Sequence, residues 1–188
     1  MLKKILTLVI AFNLLFVGHS IAQNYNISDP NPPEFYPELY KISNKPNKIG
    51  NYDLKVFGLK VYKIELYCEN SVFSFKNKSA IVINYQRKFL KENLIERTIH
   101  EIARINEIKD RELLSSYKLK LQEIFFDVDK GDRKTAIFNP EDGVKLFLNG
   151  KLVGQIKDLI FAKRFMDVWL HEKSAYPKMT KAMLGKND

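Results

Sequence analysis

Cysteine is almost absent from this chain, which has one, Cys68, in 188 residues. A single thiol excludes an intramolecular disulfide, so the fold must depend on packing. Cys68 falls on the apolar face of a predicted strand and has no histidine near it in sequence, so we predict a buried, inert thiol. No Ser/His/Asp arrangement, nucleophile elbow, phosphate-binding glycine loop or zinc-ligand spacing is present. We therefore predict no metal and no cofactor.

Long hydrophobic runs are also lacking. The most apolar one covers residues 5–17, which is shorter than the ~20 residues needed to span a bilayer. It follows two lysines and precedes the small-residue site Ser20-Ile21-Ala22, an order typical of a secretory signal. We predict that residues 1–22 are a signal peptide, that the mature chain starts at Gln23, and that it is periplasmic or secreted. A retained N-terminal anchor is the alternative.

Acidic residues are fewer than basic ones, 22 against 31, which gives a formal net charge of +9. Removal of Lys3 and Lys4 with the signal peptide lowers this charge from +9 to +7. A basic exported protein is attracted to anionic headgroups and cell-surface polymers, so we predict peripheral contact with an anionic envelope surface. The lysines are scattered along almost every segment rather than gathered in one block. We therefore predict no nucleic-acid partner.

Proline is concentrated in one segment, since five of the seven prolines lie between residues 23 and 47. This composition disfavours regular structure, and we predict an extended arm over residues 23–47. We expect its aromatic residues Phe35, Tyr36 and Tyr40 to pack against the edge of the domain. Subtracting 22 residues from 188 leaves 166, which suits a single core, and we place that domain at residues 48–188.

Alternating hydrophobicity predicts two core strands. One face of the first carries Tyr62, Ile64, Leu66 and Cys68, and one face of the second carries Ile81, Ile83, Tyr85, Arg87 and Phe89. Tyr62 is therefore expected to face the core. Arg87 is expected at a strand end, with its stem packed and its head either in water or capping a pocket that holds an anion. Gly58 interrupts the first pattern and indicates a bulge or a change of strand.

Apolar residues at helical spacing predict helices after these strands. The inward faces of the first two carry Leu94, Ile95, Thr98, Ile102 and Ile105, then Leu113, Leu114, Tyr117, Leu121, Ile124 and Phe125. Asp110 is the predicted N-cap between them. A third helix has an aromatic stripe of Phe161, Phe165 and Trp169, and Pro177 and Gly185 bound a short fourth one. Strands and helices come in runs, which predicts an α+β fold with helices on one face of an antiparallel sheet.

The last third of the chain, from Lys130 to Gly185, has a specific order: strand, turn, strand, turn, strand, helix and a short capped tail. Together with KVYKIELY at residues 60–67, this order resembles the bacterial chalcone isomerase-like family, exported proteins that share a fold with plant chalcone isomerases and fatty-acid-binding relatives. The resemblance covers roughly residues 48 to 185. It implies an open-faced β-sandwich, in which helices cover one face of a large curved antiparallel sheet and leave a ligand cleft between.

The resemblance also implies candidate site residues. In the plant enzymes an arginine just before this motif and a threonine within it hold the substrate. Here the arginine is replaced by Leu54 or, with a one-residue shift, by Lys55, and Tyr62 occupies the threonine position. Lysine cannot reproduce the bidentate fork of arginine, so chalcone isomerase activity is not expected.

A tyrosine next to a cation is instead similar to the non-catalytic fatty-acid-binding branch of the fold. By this resemblance Lys55, Tyr62 and Arg87 are the predicted ligand-binding residues. The simpler alternative is that Lys55 is a solvated surface lysine and Tyr62 is a core tyrosine.

The sequence therefore predicts an exported, monomeric, non-catalytic protein that binds a fatty acid or a similar amphipathic carboxylate. Two alternatives stay open. One is an isomerase or lyase that uses Tyr62 and Lys55 as its polar pair on an unknown enone-like substrate. The other is a structural envelope protein that binds partners through its basic surface. The fold alone does not select among them, since one scaffold hosts unrelated functions.

Overall fold

The computed structural model describes residues 36–186 of the chain. Six strands form one antiparallel sheet in which each strand pairs with the next along the sequence. The strands are β1 (Asn47–Val56), β2 (Leu59–Cys68), β3 (Ser79–Tyr85), β4 (Arg133–Asn139), β5 (Gly143–Leu148) and β6 (Lys151–Ile156). The α-helices are α1 (Lys91–Ile105), α2 (Arg111–Ile124), α3 (Leu159–Leu170) and α4 (Pro177–Met183). A 3₁₀-helix, Pro37–Lys41, precedes the sheet.

Two of the hairpins turn on two residues that both have positive φ. Phe57 and Gly58 (φ 49° and 77°) join β1 to β2, and Asn149 and Gly150 (φ 50° and 80°) join β5 to β6. Positive φ at both central positions matches the twist of antiparallel strands, and glycine adopts it without a steric penalty. Gly58 therefore marks a change of strand, which was one of the two outcomes predicted for it.

One face of the sheet forms the main core with the four α-helices. Ile64, Leu66 and Cys68 of β2 are all buried in it, together with Ile81 and Ile83 of β3. The alternation predicted for β2 is confirmed, and that of the second strand holds from Ile81 to Tyr85, where β3 ends. Arg87 and Phe89 therefore lie beyond the strand. Cys68 is buried, as predicted, and burial raises the pKa of its thiol to about 12, which disfavours the reactive thiolate.

The helices follow the predicted order. Asp110 caps α2, since its Oδ1 accepts hydrogen bonds from the backbone N–H groups of Glu112 and Leu113 at 2.9 and 3.1 Å. Phe161 and Phe165 of α3 are buried in the main core. Buried side chains of all four α-helices belong to the same core, so the α-helices gather on one side of the sheet. This arrangement confirms the predicted α+β class.

The opposite face of the sheet carries a second, smaller core that the sequence did not predict. Tyr36, Leu39 and Ile42 are buried there against the outward side chains of the sheet, Tyr67, Ala80, Val82, Ile137 and Phe147. A spacing of three residues places all three on one side of a 3₁₀-helix, and proline is tolerated at its start, where Pro37 lies.

The predicted extended arm over residues 23–47 therefore needs correction in its described part, which folds as a short helix and packs on the sheet. Tyr36 packs on a face of the sheet rather than at the edge of the domain, Tyr40 is 44% exposed, and Phe35 lies outside the described residues.

Hydrogen bonds of two buried carboxylates connect residues 36–46 to the sheet. Glu38 accepts hydrogen bonds from the guanidinium of Arg133, at 3.2 and 3.3 Å, and from the Thr135 hydroxyl at 2.8 Å. Glu65 pairs with Lys48 and accepts a hydrogen bond from the Tyr36 hydroxyl at 3.2 Å. Both carboxylates are satisfied by partners, as burial of a charge requires.

Candidate ligand-binding cavity

A cavity of about 520 Å³ lies between the first three strands and the helices α1, α3 and α4. Its volume is within the range of small-molecule sites in proteins. Aliphatic and aromatic side chains make up most of its wall, including Leu54, Val56, Val61, Ile83, Phe89, Leu94, Val168, Trp169 and Met179. Its polar side chains come from β2, β3, the loop that follows β3, α1 and the residue before α4. Such a cavity suits a ligand that is mostly apolar.

Two tyrosines lie on the sheet side of the cavity. The rings of Tyr62 and Tyr85 meet edge to face, with their centroids 6.4 Å apart. The Tyr62 hydroxyl donates to the Met179 sulfur at 3.6 Å, which ties β2 to α4. Burial raises the pKa of both tyrosines well above the usual range, so both phenols are neutral at physiological pH. They can donate a hydrogen bond but carry no charge.

An ion-pair cluster on α1 lies beside the cavity. Glu101 is buried and pairs with Arg97 at 3.0 Å and with Arg104 at 2.6 Å. Burial by itself would raise the pKa of Glu101, but the two guanidinium groups outweigh it and lower the pKa. Arg97 and Glu101 both line the cavity, and the two guanidinium groups share the one carboxylate.

The structure brings two of the three predicted site residues together. Tyr62 and Arg87 both line the cavity, Tyr62 from β2 and Arg87 from the loop that follows β3. Lys55 is exposed and is not part of the wall, which its neighbours Leu54 and Val56 form instead. Its position matches the simpler alternative of a solvated surface lysine. A ligand-binding role for Tyr62 and Arg87 stays a prediction.

Arg97, Glu101 and Lys134 were not predicted from the sequence as site residues. The i,i+4 spacing of Arg97 and Glu101 indicates an ion pair, but it does not show that the pair borders a cavity. Lys134 gave a clearer signal, since it shares one strand face with Ala136 and Phe138, both of which are buried. A lysine at a core-facing strand position is unusual enough to mark a candidate site.

Lys134 borders a second, smaller cavity of about 40 Å³ that adjoins the first. The two cavities share the wall residues Ile83, Tyr85, Leu94, Thr98 and Trp169. A further depression, of about 460 Å³, lies between α2, β6 and α3 and contains none of the predicted site residues. The large cavity with its small extension is therefore the best candidate site.

The described part of the chain has no group of three or more histidine, cysteine, aspartate and glutamate side chains placed to hold a metal ion. Between residues 36 and 186, no helix combines the length and the apolar character that crossing a bilayer requires.

These observations define an α+β protein with a largely apolar cavity between an antiparallel sheet and its helices. The model of the chalcone isomerase-like family matches residues 54–185, and the chain belongs to this family. The fold is similar to the crystal structure of a fatty-acid-binding protein from Arabidopsis thaliana, with a TM-score of 0.56 and 12% sequence identity over 77% of this chain and 89% of that one. Among curated proteins, none is significantly similar in sequence. The predicted family and fold are thus confirmed.

Proposed function

We propose that this protein binds a fatty acid or a similar amphipathic carboxylate in the cavity between its sheet and its helices. The observation that carries the proposal is the cavity of about 520 Å³, whose lining surface is mostly apolar. An apolar cavity of this size gains free energy by enclosing an alkyl chain, because both surfaces leave water. The plant structure with a similar fold is described as fatty-acid binding, which supports the same ligand class here.

Binding without catalysis is the form of this proposal that the site favours. The alternative isomerase or lyase needs Tyr62 and Lys55 to act as a polar pair. Lys55 is exposed outside the cavity, whereas Tyr62 lines it, so this pair is not assembled around one substrate. The Tyr62 phenol is also neutral and bonded to Met179, which suits a positioning contact better than proton abstraction.

Ligand capture is expected to appear as bound lipid and as a higher melting temperature. Protein purified without detergent should release fatty acid on solvent extraction. At one hundred times the Kd, added fatty acid should stabilise the delipidated protein by about 2.7 kcal/mol, or roughly 5 to 10 °C. Mass spectrometry of the extract and thermal unfolding with dodecanoic acid measure the two effects. Absence of lipid together with an unchanged melting temperature would rule out the proposal.

A pair of tryptophan substitutions controls for surface binding of the acid. Ala175 lies at the cavity wall in the loop between α3 and α4, so Ala175→Trp should obstruct the cavity and abolish the thermal shift. Leu119 is 63% exposed on α2 and lines none of the cavities described above, so Leu119→Trp should keep the shift. Equal shifts in both variants would place the acid outside the cavity.

We also propose that the chain is exported, with residues 1–22 removed, and that its mature form contacts an anionic envelope surface. The β1–β2 hairpin supports such a contact, because Phe57 at its tip is 99% exposed and Leu59 is 56% exposed, between the exposed lysines Lys55 and Lys60. In fractionated cells we expect a mature chain that starts at Gln23 and leaves the envelope fraction when salt is raised, since salt screens such attraction. An unprocessed chain in the cytosolic fraction would contradict export.

A further inference from the structure

Lys134 is a buried cation without a partner. Its side chain enters the helix-covered face from β4, opposite Ile83 in the register of β3 and β4, and the residue is only 5% exposed. Its Nζ makes no hydrogen bond and no ion pair with any residue between 36 and 186. The nearest ring is that of Phe125, whose centroid lies 3.8 Å from Nζ, and the Tyr85 centroid lies at 6.0 Å. Two aromatic faces are the compensation it receives.

The small cavity beside Lys134 can hold a carboxylate. Its volume of about 40 Å³ is about three times the 10–15 Å³ that one water requires. A carboxylate has three heavy atoms and is therefore of the right size. The walls shared with the large cavity place the two spaces side by side.

The other cations near the cavity offer less to an anion. Arg97 is paired with Glu101 at 3.0 Å and its side chain is 55% exposed, so the carboxylate and water both weaken its attraction for an anion. Arg87 is exposed, and water screens its attraction for a carboxylate. At Lys134 the surroundings are apolar, and a charge-assisted hydrogen bond is stronger there than in water. An uncompensated buried ammonium also costs free energy, and a bound anion removes that cost. Burial lowers the pKa of Lys134 to about 8, which agrees with the absence of a counter-ion.

We propose that Lys134 is the carboxylate-binding residue of this protein, and that an amphipathic acid binds head first, with its carboxylate in the small cavity and its alkyl chain in the large one. This inference rests on the proposed function, since it requires that the large cavity accepts an alkyl chain. It adds the residue that recognises the head group and the direction of the ligand. In this arrangement the ligand supplies the counter-ion that the folded chain lacks.

The test compares dodecanoic acid with dodecanol, which has the same tail without the charge. By calorimetry, the delipidated wild type should bind the acid at least tenfold more tightly than the alcohol. Lys134→Met should lose this preference by weakening acid binding while alcohol binding persists. Lys151→Met is the matched control, because it makes the same change at an exposed strand position outside the cavities and should keep the preference.

The outcomes separate this inference from the proposed function. If neither compound binds the wild type, the proposed function fails. If both bind, and the preference survives in Lys134→Met but disappears in Arg87→Gln, the head group lies beside Arg87. The head-first orientation is then wrong while the proposed function stands. A measurement on the unmodified protein guards against misfolding of the variant. In lysine-labelled protein, the acid should shift the Lys134 ε-carbon NMR signal and the alcohol should not. An unshifted signal with bound acid would overturn the inference.

Discussion

Replacing Lys134 with methionine is expected to stabilise the ligand-free protein at pH 7. The pKa of this lysine falls from its ordinary 10.5 to about 8 on folding, because burial disfavours the ammonium. At 1.36 kcal/mol per pKa unit, that difference corresponds to a stabilisation on the order of 3 kcal/mol when the charge is removed. Methionine fills a similar volume without a polar atom. Denaturant unfolding at pH 7 measures the effect, and the melting temperature should rise by roughly 6 to 12 °C.

The same substitution should change how stability depends on pH. Between pH 8 and 10.5 the unfolded state holds a proton on Lys134 that the folded state has released. Stability therefore rises with pH in this window for the wild type, and the advantage of Lys134→Met shrinks. Lys151→Met, an exposed change, should stay within about 0.5 kcal/mol of the wild type at every pH. A variant that is less stable than the wild type at pH 7, or whose difference is flat in pH, would contradict an uncompensated ammonium.

A stability cost at this position has a functional consequence. A leucine or methionine in place of Lys134 would pack the core face of β4 better, so the lysine is poorly explained by folding alone. Binding energy from a carboxylate recovers what the ligand-free fold loses, because an anion that binds only the folded state shifts the unfolding equilibrium. The acid should therefore stabilise the wild type more than it stabilises Lys134→Met. Lys134 should therefore lower the stability of the ligand-free protein and raise the stabilisation that the acid provides.

Regular patterning made much of the fold predictable from the sequence. The period-two alternation of β2 and β3 correctly placed Tyr62 on the core face, and Arg87 lines the cavity just beyond a strand end, as expected. Asp110 was recognisable as a cap because its role depends on two neighbouring backbone groups. Strand alternation and helix capping are local features, because residues that are neighbours in the sequence determine them.

Features that depend on distant packing were less accessible. Gly58 broke the alternation, and the β1–β2 pairing shifts register between Leu54 and Lys55, so counting along the chain could not decide which residue faces the cavity. The 3₁₀-helix at residues 37–41 gains its stability from buried contacts with β4, which lies about ninety residues further along. Lys134 was not singled out, because its role depends on the adjoining cavity, which the sequence pattern does not show.

Substituting Glu38 with alanine should destabilise the protein by about 3 to 5 kcal/mol. The change leaves Arg133 and Thr135 without their partner on the second core face, and removing one member of a buried pair has a cost of this size. Glu38→Gln keeps an oxygen that can accept a hydrogen bond from Thr135 but loses the charge. Its stability should therefore lie between those of the wild type and Glu38→Ala. Denaturant unfolding gives the magnitudes, and hydrogen exchange should show residues 36–46 opening first. A loss below 1 kcal/mol would mean that the segment adds little to the fold.

The Glu38→Ala variant also tests whether the two faces of the sheet act independently. Glu38 lies on the face opposite the cavity, and none of its partners lines the large cavity. Molecules that remain folded should therefore keep the preference for dodecanoic acid over dodecanol, although fewer are folded at a given denaturant concentration. If the preference falls in parallel with stability, β4 transmits the change, since Arg133 and Thr135 flank Lys134 and direct their side chains to the other side. Carboxylate binding at Lys134 would then depend on the packing of both faces of the sheet.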